Sequence, residues 1–259
     1  MMIQNAMNLA NTPEPIIARV MHSTNSSRSI GALLMDAGRI TPEAAERILK
    51  LQKDKNLRFG EAAIALGLLT EDDIQHALSR QFDYPYLTQN DTSVSQEVIA
   101  AFKPFSASVE RLRALRSQLM LRCLNPDSED RSLAIVSAEN GEGRSYIAAN
   151  LAVVFSQLGE RTLLIDADLR RPRQHQLFCL NNQSGLSAVL SGRAEPESVI
   201  SRIPHLLGLS VLPAGVVPPN PQELLARPTF SKLLEYARQH YDVVLIDTPA
   251  AHTSDAETI

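Results

Sequence analysis

The sequence predicts an α/β domain with a mostly parallel sheet and flanking helices, preceded by a small all-helical domain. After residue 131, short apolar runs typical of strands buried on both faces alternate with helical segments. Before residue 83, a pattern of glycines and helix-capping residues recurs at a constant interval, which is typical of a tandem helical repeat.

The composition is that of a globular protein, and it disfavours several functional classes. Of the 259 residues, 44% are apolar and 21% are charged, which is enough to build a buried core. The net charge of −4 disfavours a nucleic-acid partner. Two cysteines without a CxxC pattern predict neither a disulfide framework nor a structural zinc. Because no apolar run is long enough to span a membrane, we expect a cytoplasmic protein.

The N-terminal part of the chain contains the repeat. Residues 1–27 are polar and aperiodic, which predicts a disordered arm. Residues 28–82 hold two copies of one pattern, 29 residues apart. In each copy a glycine ends a short helix and a threonine caps a longer one. The paired positions are Gly31 and Gly60, Gly38 and Gly67, Thr41 and Thr70, Leu49 and Leu78, and Gln52 and Gln81.

The α/β domain is expected to occupy residues 107–259. The preceding segment, 83–106, carries prolines and turn residues and is predicted to be a linker. The predicted strands are Leu133–Val136, Thr162–Ile165, Leu209–Leu212 and Val243–Ile246, and the predicted helices cover 107–122, 145–158 and 229–239.

A glycine-containing loop, Ser137–Ser145, follows the first predicted strand and opens a helix. This context favours a phosphate-binding loop, in which Gly141 and Gly143 let the backbone approach an anion. Ser145 supplies a hydroxyl suited to Mg²⁺. Arg144 stands where such loops usually carry lysine, and its wider planar fork changes the geometry of phosphate contact.

Carboxylates follow two of the apolar strands. Asp166 and Asp168 end one strand at i, i+2 spacing, so both can face one side of an extended chain. Asp247 ends another. Because ligands of open α/β sheets bind at the carboxyl ends of strands, the loop and these carboxylates together predict a nucleotide–Mg²⁺ site.

These motifs resemble those of the bacterial tyrosine kinases, which use the P-loop ATPase fold rather than the eukaryotic kinase fold. Within that family, the arginine in the loop and the N-terminal repeat are most similar to the EpsG-like kinases paired with chain-length determinants in exopolysaccharide clusters. The resemblance covers residue 107 to the chain end. Its further elements are Gly185-Leu186-Ser187, Pro218-Pro219-Asn220-Pro221 and Ile246-Asp247-Thr248-Pro249.

The resemblance implies phosphoryl transfer from ATP to tyrosine hydroxyls, with Mg²⁺ as cofactor. By this analogy the catalytic residues are Asp166, Arg144 and Asp168, and Asp166 accepts the tyrosine proton. Ser145, Asp168 and Asp247 would organise Mg²⁺. The implied nucleotide-binding residues are Gly141, Glu142, Gly143, Arg144, Ser145 and Tyr146.

The resemblance also implies partners. Glu110, Arg113 and Arg116 form a Glu-x-x-Arg-x-x-Arg pattern along one helix face, which in the family assembles a ring of identical subunits. The alternative is pairing within the helix, without function. A separate membrane chain-length-determinant protein would activate the kinase and recruit it to the inner membrane.

Residues 28–81 resemble the N-terminal domain of type II secretion and type IV pilus ATPases, whose paired motif binds cyclic di-GMP. Cyclic di-GMP is therefore a candidate regulator, and a degenerate protein-interaction module is the alternative. The candidate ligands are Arg28, Gly31, Gln52, Arg58, Gly60 and Gln81.

Two other activities remain open for the α/β domain. One is a nucleotide-dependent switch of the MinD/ParA type, which Glu139 disfavours because that group has lysine there. The other is a scaffold without kinase activity. The only plausible local acceptor tyrosines are Tyr84 and Tyr86. Since the chain ends twelve residues after Asp247, the resemblance implies a C-terminally incomplete domain that binds ATP weakly.

Overall fold

A computed structural model describes residues 29–81, 85–88, 90–124, 131–253 and 255–258. The predicted arm, Arg28 and Tyr84 lie outside the described residues. Within this part of the chain, no helix is both long enough and apolar enough to cross a membrane.

The N-terminal repeat forms four helices: α1 (Ile30–Asp36), α2 (Pro42–Lys55), α3 (Phe59–Ala65) and α4 (Glu71–Gln81). The predicted capping at Thr41 is confirmed, since its side chain accepts a hydrogen bond from the backbone N–H of Ala44 at 3.3 Å. Gly38 and Gly67 follow the two short helices with φ of +66° and +64°, as expected for helix stops.

The two copies of the repeat pack against each other rather than as separate hairpins. Helix α1 packs on α4, and α2 packs on α3. A side chain at Gly31 would lie 3.2 Å from the Phe59 ring, and one at Gly60 would lie 3.1 Å from Ile74. The repeated glycines therefore give space for contacts between helices. The four helices have a hydrophobic core of their own, which includes Ile48.

The segment expected to be a linker is folded. Helix α5 (Ile99–Phe102) lies within it, and Leu87, Val94 and Val98 are buried in the core of the α/β domain. The prediction of a linker over 83–106 is therefore corrected: the packed α/β unit begins before residue 107. Residues 85–88 and 90–106 are called the covering segment. Its prolines and turn residues bend it over the α/β domain, and the burial of its apolar side chains stabilises this packing.

The remaining elements build the α/β domain. In chain order they are α6 (Ala107–Arg122), β1 (Ser132–Ile135), α7 (Arg144–Ser156), β2 (Thr162–Asp166), α8 (Gln174–Leu177), α9 (Leu186–Leu190), α10 (Pro196–Val199), β3 (Ser201–Arg202), β4 (Leu209–Leu212), α11 (Pro221–Leu225), α12 (Pro228–His240), β5 (Val243–Asp247) and a 3₁₀ turn (Ala256–Thr258). The predicted strands and helices are confirmed to within a few residues. The short strand β3 was not predicted.

The strands form one sheet in the order β1-β5-β2-β4-β3. All pairs are parallel except β3 with β4. Alternate residues face two separate cores: Leu164 and Leu245 face the side of α7, whereas Leu163 and Val244 face the side of α12. Burial on both faces explains the continuous apolar runs, and the parallel order brings the carboxyl ends of β1, β2 and β5 to one edge.

Candidate nucleotide-binding site

The loop between β1 and α7 has the backbone of an anion cradle. Gly141 and Gly143 have φ of +83° and +89°, a region that residues with a Cβ rarely adopt. Gly143 is the N-cap of α7, and the helix begins at Arg144. The positive φ of both glycines and the N-terminus of α7 give this loop the backbone conformation and the helix dipole that favour an anion.

Arg144 spans this loop from the inside. Its side chain donates from Nε to the Thr248 carbonyl at 3.0 Å and from Nη1 to the Glu139 carbonyl at 2.6 Å, and it also donates to the Ser137 hydroxyl. Arg144 is only 9% exposed. Its planar fork ties the phosphate loop to the end of β5, which a lysine ammonium could not do with the same geometry.

Glu142 belongs to the loop framework. Its carboxylate accepts a hydrogen bond from the Glu139 N–H at 2.9 Å. This bond is the main reason that the pKa of Glu142 lies below its usual value, with Ser137 and Arg144 contributing further. Glu142 therefore stabilises the turn before the helix.

Two carboxylates lie side by side at the carboxyl ends of β2 and β5. Asp166 and Asp247 are register partners on these strands, and both are fully buried. Asp166 Oδ2 accepts hydrogen bonds from the N–H groups of Arg173 at 3.0 Å and Gln174 at 2.9 Å. Asp247 Oδ2 accepts one from Gln174 Nε2 at 2.8 Å. The Oδ1 atom of each aspartate is buried without a hydrogen-bond partner.

This environment holds protons tightly. Burial, followed by the charge of Asp247, raises the pKa of Asp166 well above its usual value. Burial raises the pKa of Asp247 to about 6, against the lowering effect of its hydrogen bonds from Gln174 and Ser145. The charge of Asp168 raises the pKa of both groups. The structure thus brings Ser145 and the three predicted aspartates into one electrostatically coupled group.

Asp168 lies just beyond β2. Its Oδ1 accepts hydrogen bonds from the N–H groups of Arg170 at 3.1 Å and Arg171 at 2.8 Å. These bonds fix the turn that follows the strand and keep the carboxylate at the site.

The group of oxygens suits Mg²⁺. The unpartnered, buried Oδ1 atom of Asp247 is a hard acceptor that a divalent cation would satisfy. Among the described residues, no cluster of three or more His, Cys, Asp or Glu side chains is arranged to hold a metal ion by itself. Mg²⁺ is usually held by one or two carboxylates together with phosphates and water.

The basic residues after β2 bind carboxylates of the chain itself. Arg170 pairs with the buried Asp255 through two bonds of 2.5 and 2.9 Å. Arg173 pairs with Glu97 through bonds of 2.9 and 3.0 Å. Both pairs hold flanking segments against the site.

Three buried polar residues were missed by the sequence reading. Gln174 contacts Asp247, Asp255 contacts Arg170, and Asn150 joins α7 to the covering segment. Isolated polar residues carry little sequence signal, since their partners are distant in the chain. For Gln174, the one usable indication in the sequence was its closeness to a predicted site residue, since it lies eight residues after Asp166.

The predicted assembly residues contact their own chain. Arg113 forms an ion pair with Glu110 one turn away, and Arg116 Nη1 donates to the Val154 carbonyl at 2.7 Å. The first contact is therefore internal to α6, and the second joins α6 to α7.

The cyclic di-GMP candidates are spread over the helical domain. Gly31 and Gly60 make the close helix contacts described above. Gln52 lies near the end of α2, the exposed Arg58 precedes α3, and Gln81 ends α4.

The chain is similar to known proteins. No protein-family model matches the chain. The tyrosine-protein kinase YwqD of Bacillus subtilis is 42% identical to it over 158 residues, which cover 60% of this chain and 65% of YwqD. The Klebsiella pneumoniae protein named as a tyrosine-protein kinase in the cps region is 36% identical over 163 residues, which cover 63% of this chain and 22% of that protein.

Solved structures with similar folds support the sequence similarity. The kinase domain of Escherichia coli tyrosine kinase ETK matches with a TM-score of 0.61 at 37% identity, over 68% of each chain. The chimerical protein CapA2B2 matches with a TM-score of 0.59 at 35% identity, over 71% of this chain and 79% of that one. The chain belongs to the bacterial tyrosine kinase family. The P-loop ATPase-type α/β fold predicted for this chain is confirmed.

The likeness does not extend over the whole of every relative. The chain spans 65% of YwqD and 22% of the Klebsiella protein.

Proposed function

We propose that this chain transfers the γ-phosphoryl group of Mg²⁺-bound ATP to tyrosine hydroxyls of proteins, including other copies of itself. The observation that carries the proposal is the meeting of the phosphate loop with Asp166 and Asp247 at one sheet edge. Family membership supports the same conclusion. Regulation of exopolysaccharide synthesis is the proposed biological role, and the Klebsiella relative in the cps region supports it.

Each part of the site has a chemical task in this proposal. The N–H groups around Gly141 and Gly143, together with Arg144, hold the phosphates and neutralise their charge. Ser145, Asp168 and Asp247 hold Mg²⁺, which neutralises charge on the transferred group when bound. The tyrosine oxygen attacks the γ-phosphorus, the bond to the β–γ bridging oxygen breaks, and ADP leaves.

Asp166 accepts the proton of the tyrosine hydroxyl. Burial and the neighbouring Asp247 increase its affinity for a proton, as a general base requires. The N–H groups of Arg173 and Gln174 fix one of its oxygens and leave the other without a partner. These hydrogen bonds orient the Asp166 carboxylate, and its surroundings raise its pKa.

The test is incubation of the purified chain with ATP and Mg²⁺, followed by mass spectrometry of phosphotyrosine. Asp166→Asn is expected to lower phosphotyrosine formation by about 100-fold or more. Asp54→Asn, at an exposed position of α2, is the matched control and is expected to have no effect. Normal phosphorylation by the Asp166 variant would remove the proposed base.

The same assay separates the alternatives. Phosphate release without phosphotyrosine would favour a nucleotide-dependent switch, and neither product would favour a scaffold. Glu139 argues against the MinD/ParA-type switch, because an exposed carboxylate on the phosphate loop cannot reach a partner's phosphate as a cation.

We also propose assembly and recruitment to a membrane activator. The Glu110–Arg113 pair and Arg116 place a charged helix face beside α7, which could be re-paired with a second copy in a ring. A solved relative, CapA2B2, is a chimera, which supports a second polypeptide as activator. Mass measurement in solution, with and without Arg113→Glu, tests the ring. A variant that assembles like the unaltered chain would contradict this role.

For the helical domain we propose cyclic di-GMP binding, with an effect on kinase activity. Its support is the repeated Gly and Gln pattern and the exposed Arg58 at the start of α3. Calorimetric titration of the full chain with cyclic di-GMP tests it, with Arg58→Ala as the variant expected to lose heat. No heat with the unaltered chain at tens of micromolar ligand would favour a protein-interaction module.

A further inference from the structure

Gln174 is a buried amide in the middle of the site, and none of the roles described so far uses its side chain. It is the first residue of α8, fully buried, and it follows the loop that carries Asp168. Its backbone N–H donates to Asp166 Oδ2 at 2.9 Å. The side chain therefore starts from a position already fixed against β2.

The side-chain amide joins the phosphate loop to β5. Nε2 donates to the Ser145 carbonyl at 3.1 Å and to Asp247 Oδ2 at 2.8 Å. Because both neighbours are acceptors, the amide nitrogen must face them and Oε1 must point away. One residue thus connects the first turn of α7 to the carboxylate that ends β5.

Three acceptor oxygens in this group are buried without a hydrogen-bond partner: Gln174 Oε1, Asp166 Oδ1 and Asp247 Oδ1. A buried acceptor without a donor is costly, and such groups normally have a water or an ion. The amide of Gln174 holds one oxygen of Asp247 and leaves the other to such a ligand.

We infer that Gln174 is a positioning residue, which sets the Asp247 carboxylate and the Ser145 turn at the distance that nucleotide-bound Mg²⁺ requires. The inference rests on the proposed function, because it concerns the same site. Gln174 acts through Asp247 and does not itself touch the reacting atoms. Groups that orient metal ligands through hydrogen bonds commonly change metal affinity by about 10- to 100-fold when removed.

The experiment measures the Mg²⁺ concentration needed for half-maximal binding of a fluorescent ADP derivative to the full chain. Gln174→Met replaces the amide by an unbranched side chain of similar size, and we expect the required Mg²⁺ concentration to rise about tenfold. Gln176→Met, an exposed position on the same short helix, is the matched control and is expected to leave it unchanged.

A double-mutant cycle with Asp247→Asn separates positioning from general destabilisation. If Gln174 acts through Asp247, Gln174→Met has less than about a twofold further effect when Asp247 is already Asn. A purely structural role would give the same loss in both backgrounds, and that result would overturn the inference. If Gln174→Met does not fold, Gln174→Asn, whose amide is one methylene shorter, enters the same cycle.

The failures of the two proposals are distinguishable. Lack of Mg²⁺-dependent ADP binding by the unaltered chain contradicts the proposed function. Normal binding by the unaltered chain, with an unchanged Mg²⁺ requirement in the Gln174 variant, overturns the positioning role alone.

Discussion

Asp166 and Asp247 lie directly opposite each other on paired strands, and each has one carboxylate oxygen buried without a partner. Two buried carboxylates in contact destabilise a fold unless a proton or cation separates their charges. The arrangement therefore costs stability in the free chain. When nucleotide is present, the free oxygen of Asp247 provides a place for a divalent cation, and that of Asp166 stays available to accept a proton.

Asp247→Asn is expected to stabilise the metal-free chain at high pH. The pKa of Asp247 is raised from 3.8 to about 6 in the folded chain. The protonated carboxyl therefore stabilises the fold fully below pH 3.8, and this stabilisation is lost as the pH rises from 3.8 through about 6. Asparagine mimics the protonated form at every pH. The variant should gain about 3 kcal/mol in unfolding free energy at pH 8 and almost nothing at pH 4.

Urea denaturation of both proteins in EDTA, over this pH range, measures the difference. The comparison cancels the titrating groups that do not interact with Asp247. The pKa of Asp166 falls when the charge of Asp247 is removed, which stabilises the variant at high pH in the same direction. A constant difference between pH 4 and pH 8 would contradict the raised pKa of Asp247. The Mg²⁺ concentration needed for nucleotide binding should rise in the same variant.

Arg144→Ala and Arg144→Lys should separate two roles of one side chain. Alanine removes the bonds to Thr248, Ser137 and Glu139 together with the charge, so we expect a loss of about 1–3 kcal/mol in stability and at least tenfold weaker ADP binding. Lysine restores the charge but not the fork, so it should recover binding more than stability. Thermal unfolding and ADP titration measure the two properties. Equal recovery of both by lysine would show that the fork geometry is unimportant.

Asn150→Ala should detach the covering segment from α7. The fully buried Asn150 accepts a hydrogen bond from the Ala100 N–H at 2.9 Å and donates to the Glu97 and Tyr146 carbonyls. Its loss leaves buried groups unpaired, so we expect about 2–3 kcal/mol lower stability. Faster hydrogen exchange of the Ala100 and Ala101 amides would locate the change. The exposed Asn181→Ala is the control, and equal effects of both would disprove a specific role for Asn150.

Gly185→Ala should be strongly destabilising for a steric reason. An added Cβ would lie 2.1 Å from the Pro213 carbonyl oxygen and 2.6 Å from the Gly215 nitrogen. Since both neighbours are backbone atoms, the chain must shift, and we expect a loss of about 3 kcal/mol or more. Urea denaturation measures it, beside Ser184→Ala at the exposed neighbouring position. A loss below about 1 kcal/mol would mean that the two segments are not in contact.

Much of the site could be predicted because its residues sit at strand ends. Asp166, Asp247 and the glycines of the loop follow apolar runs, so parallel pairing alone brings them to one edge. The pairing of Arg170 with Asp255 and of Arg173 with Glu97 could not be predicted. Partners separated by 85 and 76 residues leave no periodic trace in the sequence.

The segment before residue 107 shows the same limit. Prolines and turn residues there predicted a linker, but Val98 and Phe102 are buried on α7. Local turn chemistry determines where a chain bends, and only the neighbouring surface determines whether the bends are packed or free.

The sequence by itself determined the elements, since period, caps and strand-end chemistry are local properties of Thr41, Gly143 or Asp247. Tertiary structure alone decided that Gln174 would join Ser145 to Asp247, that Arg144 would reach Thr248, and that two repeats would interlock through Gly31 and Phe59. These contacts depend on the distance between segments far apart in the chain. That distance is fixed only when the sheet and its two cores are packed.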